Sequence, residues 1–297
     1  MQSVGFIGLG IMGKPMVKNL LKGQCTVYVY DIDSAAVEEL VLLGAHAADL
    51  GQIGGLCSVI FTALPNGAVV QNVLLGADGV AQGMQPGAVV VDVSSVTPEE
   101  AQTCAAALHK LGIGFVDAPM SGGEPKAIDG TLAFMCGGTE ESFEAVLPYL
   151  LKMGASAVLV GGVGSGSVTK LANQIIVNLT IAAVSEAMVL AQKAGVDVEK
   201  VYQAIRGGLA GSAVLDAKAP MMMQRNFTPG GKISINHKDI KNVMSTAQQL
   251  TVPLPLSAQL FSILESLKAT GHLEDDHSGI VQYYEAISGV TVQGGGN

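Results

Sequence analysis

Residues 5–16 read GFIGLGIMGKPM, and the glycines at 8, 10 and 13 leave this stretch few ways to fold. SVGFI (3–7) before them is a β-branched strand signal, and a helical pattern follows over 12–22. A chain that leaves a strand, turns within a few residues and enters a helix needs glycine at the tight turn and where helix and strand pack closely. The succession recurs. Strand signals at 26–30, 58–63, 88–92 and 114–117 alternate with helical patterns at 34–43, 98–111 and 140–151. A further pair of strands is expected at 131–136 and 156–160. Thr97-Pro98-Glu99-Glu100 offers a helix N-cap, a proline at the first helical position and acids in the first turn. Gly44 and Gly112 stand as helix stops. Such alternation predicts a parallel, doubly wound α/β sheet.

The pattern changes at the glycine cluster GGVGSG (161–166). Beyond it strand signals largely disappear, and residues 167–194 read as one helix about 40 Å long. Helices are then expected at 197–206, 212–223, 236–250, 255–269 and 276–288, with VQGGGN at the end as a frayed tail. The expected organisation is a first α/β domain over 1–162 and an all-helical domain over 163–297, joined by the long helix. That helix is too long and apolar for one small domain to cover, which predicts a homo-oligomer, a dimer or tetramer.

Charge narrows the partners. The net charge is −9 with two arginines, Arg206 and Arg225, which argues against a nucleic-acid partner. Anions bound by the first domain must be held by backbone N–H groups, hydroxyls and lysines. The four cysteines show no CxxC spacing and the N-terminus no basic leader, as expected for a cytoplasmic protein with reduced thiols in its core. No 18 consecutive apolar residues run uninterrupted, so no membrane span is expected. The five histidines form no HxxxH pair, and no metal site is expected.

The glycine turn carries the first functional signal. Gly8, Gly10 and Gly13, with Ile11 and Met12 between them, would bring backbone and a helix N-terminus up to the pyrophosphate of a dinucleotide. The alternative is a purely structural turn. The second strand ends at Asp31, where a carboxylate can bind the adenosine ribose hydroxyls or remain a solvated turn residue. Asp31 would repel a 2′-phosphate and no arginine is near to attract one, so NAD is expected rather than NADP.

Lys170 carries the second. From there to Glu186 the chain has no other ionisable side chain, and an ammonium at the head of an apolar helix calls for a partner or a lowered pKa. At the domain boundary, near the carboxyl ends of the strands, it can donate a proton to a carbonyl being reduced by hydride. The bland alternative is a snorkelling lysine. Asn173 and Gln174, at i+3 and i+4, could bond the same oxygen. Ser121-Gly122-Gly123 is either a nest for a substrate carboxylate or an ordinary turn, and Lys238-Asp239 either a functional pair or a solvated one.

Together FIGLGIMGKPM, DAPMSGG, GSVTKLANQ and the lysine of HKDI, in this order, resemble the β-hydroxyacid dehydrogenase family, which includes the 3-hydroxyisobutyrate dehydrogenases. The resemblance covers essentially the whole chain. It implies a Rossmann domain followed by an all-α domain. It also implies Lys170 as acid/base, Asn173 holding the substrate, Ser121, Gly122 and Gly123 on its carboxylate, and Lys238 reaching over nicotinamide and substrate. Leu64, Pro65, Asn66 and Ser95 fall where the family lines the ribose and nicotinamide. SGGEPKAIDGTL and YQAIRGGLAGSAVLDAKAP narrow the likeness to members that reduce tartronate semialdehyde, a small anionic substrate of glyoxylate metabolism, to glycerate. Other semialdehydes, 3-hydroxyisobutyrate and a binding protein without turnover are the alternatives. The chain departs from the family at Gly231, where an aromatic is usual, and at His237, where an aliphatic is commoner.

Overall fold

The computed structural model describes residues 3–295; Met1, Gln2, Gly296 and Asn297 lie outside them. Contacts divide the chain into two units, residues 1–170 and 171–297.

The first unit is built on a nine-stranded sheet. Its elements are β1 (Ser3–Ile7), α1 (Gly13–Lys22), β2 (Thr26–Tyr30), α2 (Ser34–Val41), β3 (His46–Ala47), α3 (Leu50–Leu56), β4 (Val59–Thr62) and α4 (Gly67–Leu75). There follow β5 (Val89–Asp92), α5 (Pro98–His109), β6 (Gly114–Asp117), β7 (Met120–Ser121), α6 (Gly123–Asp129), β8 (Leu132–Gly137), α7 (Glu140–Met153) and β9 (Gly154–Gly161). The strand order is β3-β2-β1-β4-β5-β6-β8-β7, with β9 pairing β8. β1 to β6 are mutually parallel, with Val4 opposite Val27 and Val59. This is the parallel, doubly wound sheet expected, and beyond β6 it adds an antiparallel side, where β8 runs against β6 and β7. The seven-residue α6 between β7 and β8 is shorter than the dozen or so residues a parallel crossover requires.

One apolar layer packs on each face of the sheet. Val4, Phe6, Phe61, Val91 and Leu150 are buried in one, Ile7, Ile60, Val90, Leu108 and Phe115 in the other. Cys57, Cys104 and Cys136 are core filler whose thiols burial pushes up to about 12, 11 and 12. Thr97 caps α5 in a full capping box with Glu100, and Gly44 and Gly112 adopt left-handed φ of 103° and 72° beyond their helices, as expected.

The second unit is helical. Its elements are the greater part of α8 (Ser165–Lys193), then α9 (Val198–Ile205), α10 (Ala213–Met223), α11 (Ile233–Gln249), α12 (Pro255–Ala269) and α13 (Val281–Ser288). Residues 277–280, expected as the start of the last α-helix, are a 3₁₀ turn capped by Asp276. The expected fraying is not seen at the described end. Val292 is buried and donates to Glu285 Oε1 at 2.7 Å, and Gly294 N–H bonds the Met223 carbonyl.

Among the described residues α8 is the one helix long and apolar enough to cross a membrane by length and composition, a test that the core helix of a globular unit also passes. Its buried polar side chains show how it is used instead. Asn178 and Ser185 donate to helix carbonyls one turn back, and Gln174 donates to Asp239 of α11.

Candidate active site

The turn after β1 assigns each glycine a separate task. Gly8 has φ of 98°, and a Cβ there would stand 2.3 Å from the Ala63 carbonyl oxygen. A Cβ on Gly13 would come within 2.0 Å of the Gly8 carbonyl oxygen, so this glycine lets α1 start against the turn. A Cβ on Gly10 would meet nothing within 4 Å. The fold itself does not require glycine there, whereas a group approaching from outside would. Met12 opens α1 without a side-chain cap, leaving the positive end of the helix dipole to an anion. Ile11 is exposed beside it. These residues fit a pyrophosphate.

Asp31 ends β2 and accepts the N–H of Leu9 at 2.5 Å through one oxygen and that of Asp33 at 2.8 Å through the other. It thereby ties the glycine turn to the following strand. A groove of about 580 Å³ runs beside it, with Gly10, Lys14, Lys18, Asp33 and Glu39 among its walls. Glu39 takes both lysines, Lys14 at 2.8 Å and Lys18 at 2.7 Å, and their hydrogen bonds hold its carboxyl down at about 2.

The loops after β4 and β5 are joined by a network that the sequence reading missed. The Thr62 hydroxyl and the Ser94 N–H both donate to Asp92 Oδ1, and the Ser94 hydroxyl accepts the Leu64 N–H at 2.8 Å. Asp92 is wholly buried, and burial raises its pKa. The network fixes the peptide that leads into Leu64, Pro65 and Asn66 beside the strand that leads into Ser95. Asn66 also caps α4, its side chain accepting from Val69 N–H. A buried aspartate ending an apolar strand, at the edge where doubly wound sheets bind ligands, was the available signal in VVVD.

Ser121 ends β7, and Gly122 and Gly123 follow with φ of 139° and 69°. Both demand glycine, and a Cβ on Gly122 would lie 2.8 Å from that of Lys126. Lys170 donates from Nζ to the Met120 carbonyl at 2.9 Å, one residue before this turn. The half-buried ammonium therefore has a partner.

In the second unit, Asn173 donates to Gln174 Oε1 at 3.0 Å, and Gln174 Nε2 donates to Asp239 Oδ2 at 2.6 Å. In this structure the Gln174 carboxamide is thus turned to Asn173 and Asp239. Lys238 Nζ lies 3.4 Å from Asp239 Oδ1, so Lys238-Asp239 is a pair with one buried member. Helical spacing held that signal: Ile233, Asn236, Ile240 and Val243 mark a buried face that Asp239 shares. His237 pairs with Glu265 and stacks on Phe261. Gly231 lies in a loop held by Asp276, which accepts the N–H groups of Gly230 and Gly231 and pairs with Lys218 at 3.0 Å. Among the described residues no group of three or more potential metal ligands forms.

Known proteins share this arrangement. Residues 3–162 match the family model of the NAD binding domain of 6-phosphogluconate dehydrogenase, and residues 164–284 match that of NADP-dependent 3-hydroxyisobutyrate dehydrogenase. The chain is 40% identical to the 2-hydroxy-3-oxopropionate reductase of Escherichia coli, over 96% of this chain and 98% of that one. It is 37% identical to the 2-(hydroxymethyl)glutarate dehydrogenase of Eubacterium barkeri, over 98% of each. Among solved structures, 3-hydroxyisobutyrate dehydrogenase from Mycobacterium tuberculosis with L-serine superposes with a TM-score of 0.89 at 26% identity, covering 96% of this chain and 99% of that one. A Rossmann sheet with a glycine turn shaped for a dinucleotide, followed by a helical unit, and these likenesses along nearly the whole length, make this chain a member of the β-hydroxyacid dehydrogenase family, nicotinamide-dependent oxidoreductases acting on CH–OH groups.

Proposed function

We propose that the chain reduces a small 3-oxo acid with NADH, and that tartronate semialdehyde, giving glycerate, is its substrate. The observation that carries this reading is the 2.9 Å hydrogen bond from Lys170 to the Met120 carbonyl, which holds a cationic proton donor against the Ser121-Gly122-Gly123 turn. The reduced nicotinamide, when bound, supplies the hydride. Lys170 donates the proton to the forming alkoxide oxygen and withdraws it in the reverse direction. Asn173 orients that oxygen. Ser121 and the amides of Gly122 and Gly123 fix the substrate carboxylate, and Lys238 adds the positive potential that an acidic chain must concentrate locally to attract an anion. Leu64, Pro65, Asn66 and Ser95 line the ribose and nicotinamide, and Gly8, Gly10, Ile11, Met12 and Gly13 the pyrophosphate.

NAD rather than NADP is supported by Asp31 at the end of β2 and by the two lysines engaged with Glu39. The substrate reading is supported by the 40% identity to a 2-hydroxy-3-oxopropionate reductase. On this reading we assign the protein to glyoxylate metabolism in the cytoplasm. Val168, Ile176 and Leu190 leave an exposed apolar face on α8, and we assign its cover to a second copy of the chain, in a dimer or tetramer.

A second reading, 3-hydroxyisobutyrate or another semialdehyde of similar size, is favoured by Gly231. A Cβ there would stand in ordinary contact, 3.6 Å from the His277 ring, so the loop accepts a methyl without strain and glycine leaves that space open. A substrate panel decides. Purified protein with NADH and tartronate semialdehyde is expected to lose absorbance at the reduced-cofactor wavelength, with a higher kcat/KM than for longer semialdehydes or with NADPH. No loss of absorbance overturns the proposal, and a preference for 3-hydroxyisobutyrate moves it to the second reading.

A further inference from the structure

The turn that opens α8 lacks a cap of its own. Its N-cap position is Gly164, which has a φ of 92° and no side chain to accept an N–H from the first turn. The missing acceptor comes from strand β6. Asp117 takes the Gly164 N–H through Oδ1 at 2.8 Å and the Ser167 N–H through Oδ2 at 2.7 Å, so both oxygens are used on a segment about fifty residues further along. Glycines let the two meet. A Cβ on Gly137 would stand 2.5 Å from Asp117 Oδ1, and one on Gly166 would stand 2.4 Å from the Asp117 and Met135 carbonyl oxygens. Gln102 of α5 adds a bond to the Val163 carbonyl at 3.3 Å. Three residues after Asp117, the Met120 carbonyl receives Lys170, itself one turn beyond Ser167.

We infer that Asp117 is a positioning residue for Lys170: it caps α8 from β6 and so sets where the lysine stands over the Ser121-Gly122-Gly123 turn. The inference rests on the reading of Lys170 as acid/base. Energetics separate this role from plain stabilisation. Burial pushes the Asp117 carboxyl up to about 6, against the pull of the Gly164 and Ser167 amides, so the anion is kept at neutral pH at a cost to stability. Asp92 of β5 stands opposite Asp117 in the sheet, and the Asp117 charge also reaches the Cys136 thiol of β8.

The test uses the full chain with Asp117→Asn, which keeps one acceptor and turns the other position into a donor facing an N–H. Amide exchange over residues 163–169, measured without substrate, is expected to quicken about tenfold, as for loss of one helix cap. In the same variant kcat is expected to fall by roughly tenfold or more while KM for NADH stays within about twofold. Ser167→Pro, which deletes one of the two bonded amides within the first helical turn, is the second variant should Asp117→Asn fail to fold, and the same split is expected of it. Unchanged exchange overturns the anchor, and faster exchange with wild-type kcat overturns its action on Lys170. Full turnover in Lys170→Met would instead sink the reading of the lysine and leave the exchange result standing.

Discussion

Gln174 Nε2 and Asp239 Oδ2 lie 2.6 Å apart, joining α8 to α11 within the helical unit, and Asp239 is 2% exposed. A buried carboxylate that accepts an amide hydrogen and faces an ammonium is costly to disturb on one side only. Asp239→Leu is expected to leave Gln174 without its acceptor and to lower the unfolding free energy by about 2–3 kcal/mol, whereas Asp239→Asn should cost about 1 kcal/mol. Urea unfolding of the two variants checks this, and equal losses would show that the pair contributes little.

The three glycines of the turn are expected to respond differently to one added methyl. Gly10→Ala meets no atom within 4 Å, so stability should stay within about 0.5 kcal/mol of wild type, while NADH binding weakens tenfold or more as the methyl enters the pyrophosphate space. Gly8→Ala and Gly13→Ala meet carbonyl oxygens at 2.3 and 2.0 Å and should destabilise the first unit by several kcal/mol. Calorimetric titration with NADH beside thermal unfolding distinguishes the cases. Undiminished NADH affinity in Gly10→Ala would remove the dinucleotide from that position.

These glycines also mark what could be read from the sequence. GFIGLGIMGKPM and the alternating apolar runs carried the sheet, the glycine turn and the helical second half, because period and punctuation are local properties. α3 was missed because LGQIGGL carries three glycines, which weaken any helical signal; Gly54 is there because a Cβ would stand 2.3 Å from the Val80 carbonyl oxygen. Lys170 and Ser121 stand out in the sequence as candidates, a charge on an apolar background and a hydroxyl on a glycine-rich one. Asp92 and Asp117 do not, and Asp239 does so only beside Lys238, because each acts through a partner 30 to 65 residues away that no local pattern names.

Glu39 bears on the choice of dinucleotide. It pairs with both Lys14 and Lys18 in the groove beside Gly10, where Asp33 is a further acid. Glu39→Gln removes one negative charge and releases two ammonium groups, so the local potential becomes favourable to a phosphate. The ratio of kcat/KM for NADPH over NADH is expected to rise roughly threefold to tenfold at low salt and to lose much of that gain at 0.5 M salt. A ratio that does not move would exclude the two lysines from reach of the 2′-position.

Lys170→Met is expected to lower kcat by about 10²–10⁴-fold, the usual contribution of a positioned acid/base, while NADH affinity is unchanged. Lys170→Arg should recover little, because a guanidinium does not release its proton near neutral pH. Steady-state kinetics with a binding titration separates loss of chemistry from loss of cofactor, and turnover in the methionine variant close to wild type would remove the lysine from the reaction.

Asp117 and His277 should give the two units opposite responses to acid. The Asp117 carboxyl is raised from 3.8 to about 6 by burial. Between those values the folded first unit holds a proton that the unfolded chain has released, so this contribution is present at low pH and is lost as pH rises through about 6. His277 is lowered from 6.5 to about 4 by burial and then by the Lys218 ammonium, with Asp276 opposing. Between those values the unfolded chain takes up a proton that the folded second unit refuses, so its contribution is present above 6.5 and is lost as pH falls through about 4. At 1.36 kcal/mol per pKa unit each effect is about 3 kcal/mol. Amide exchange read separately in β4 and β5 and in α11 and α13, between pH 7 and pH 4.5, should show the sheet gaining protection and the helical unit losing it. Asp117→Asn should remove part of the gain, the rest belonging to Asp92, whose carboxyl burial also raises, and His277→Gln should remove most of the loss. Parallel changes in both units, untouched by either substitution, would place the acid response elsewhere.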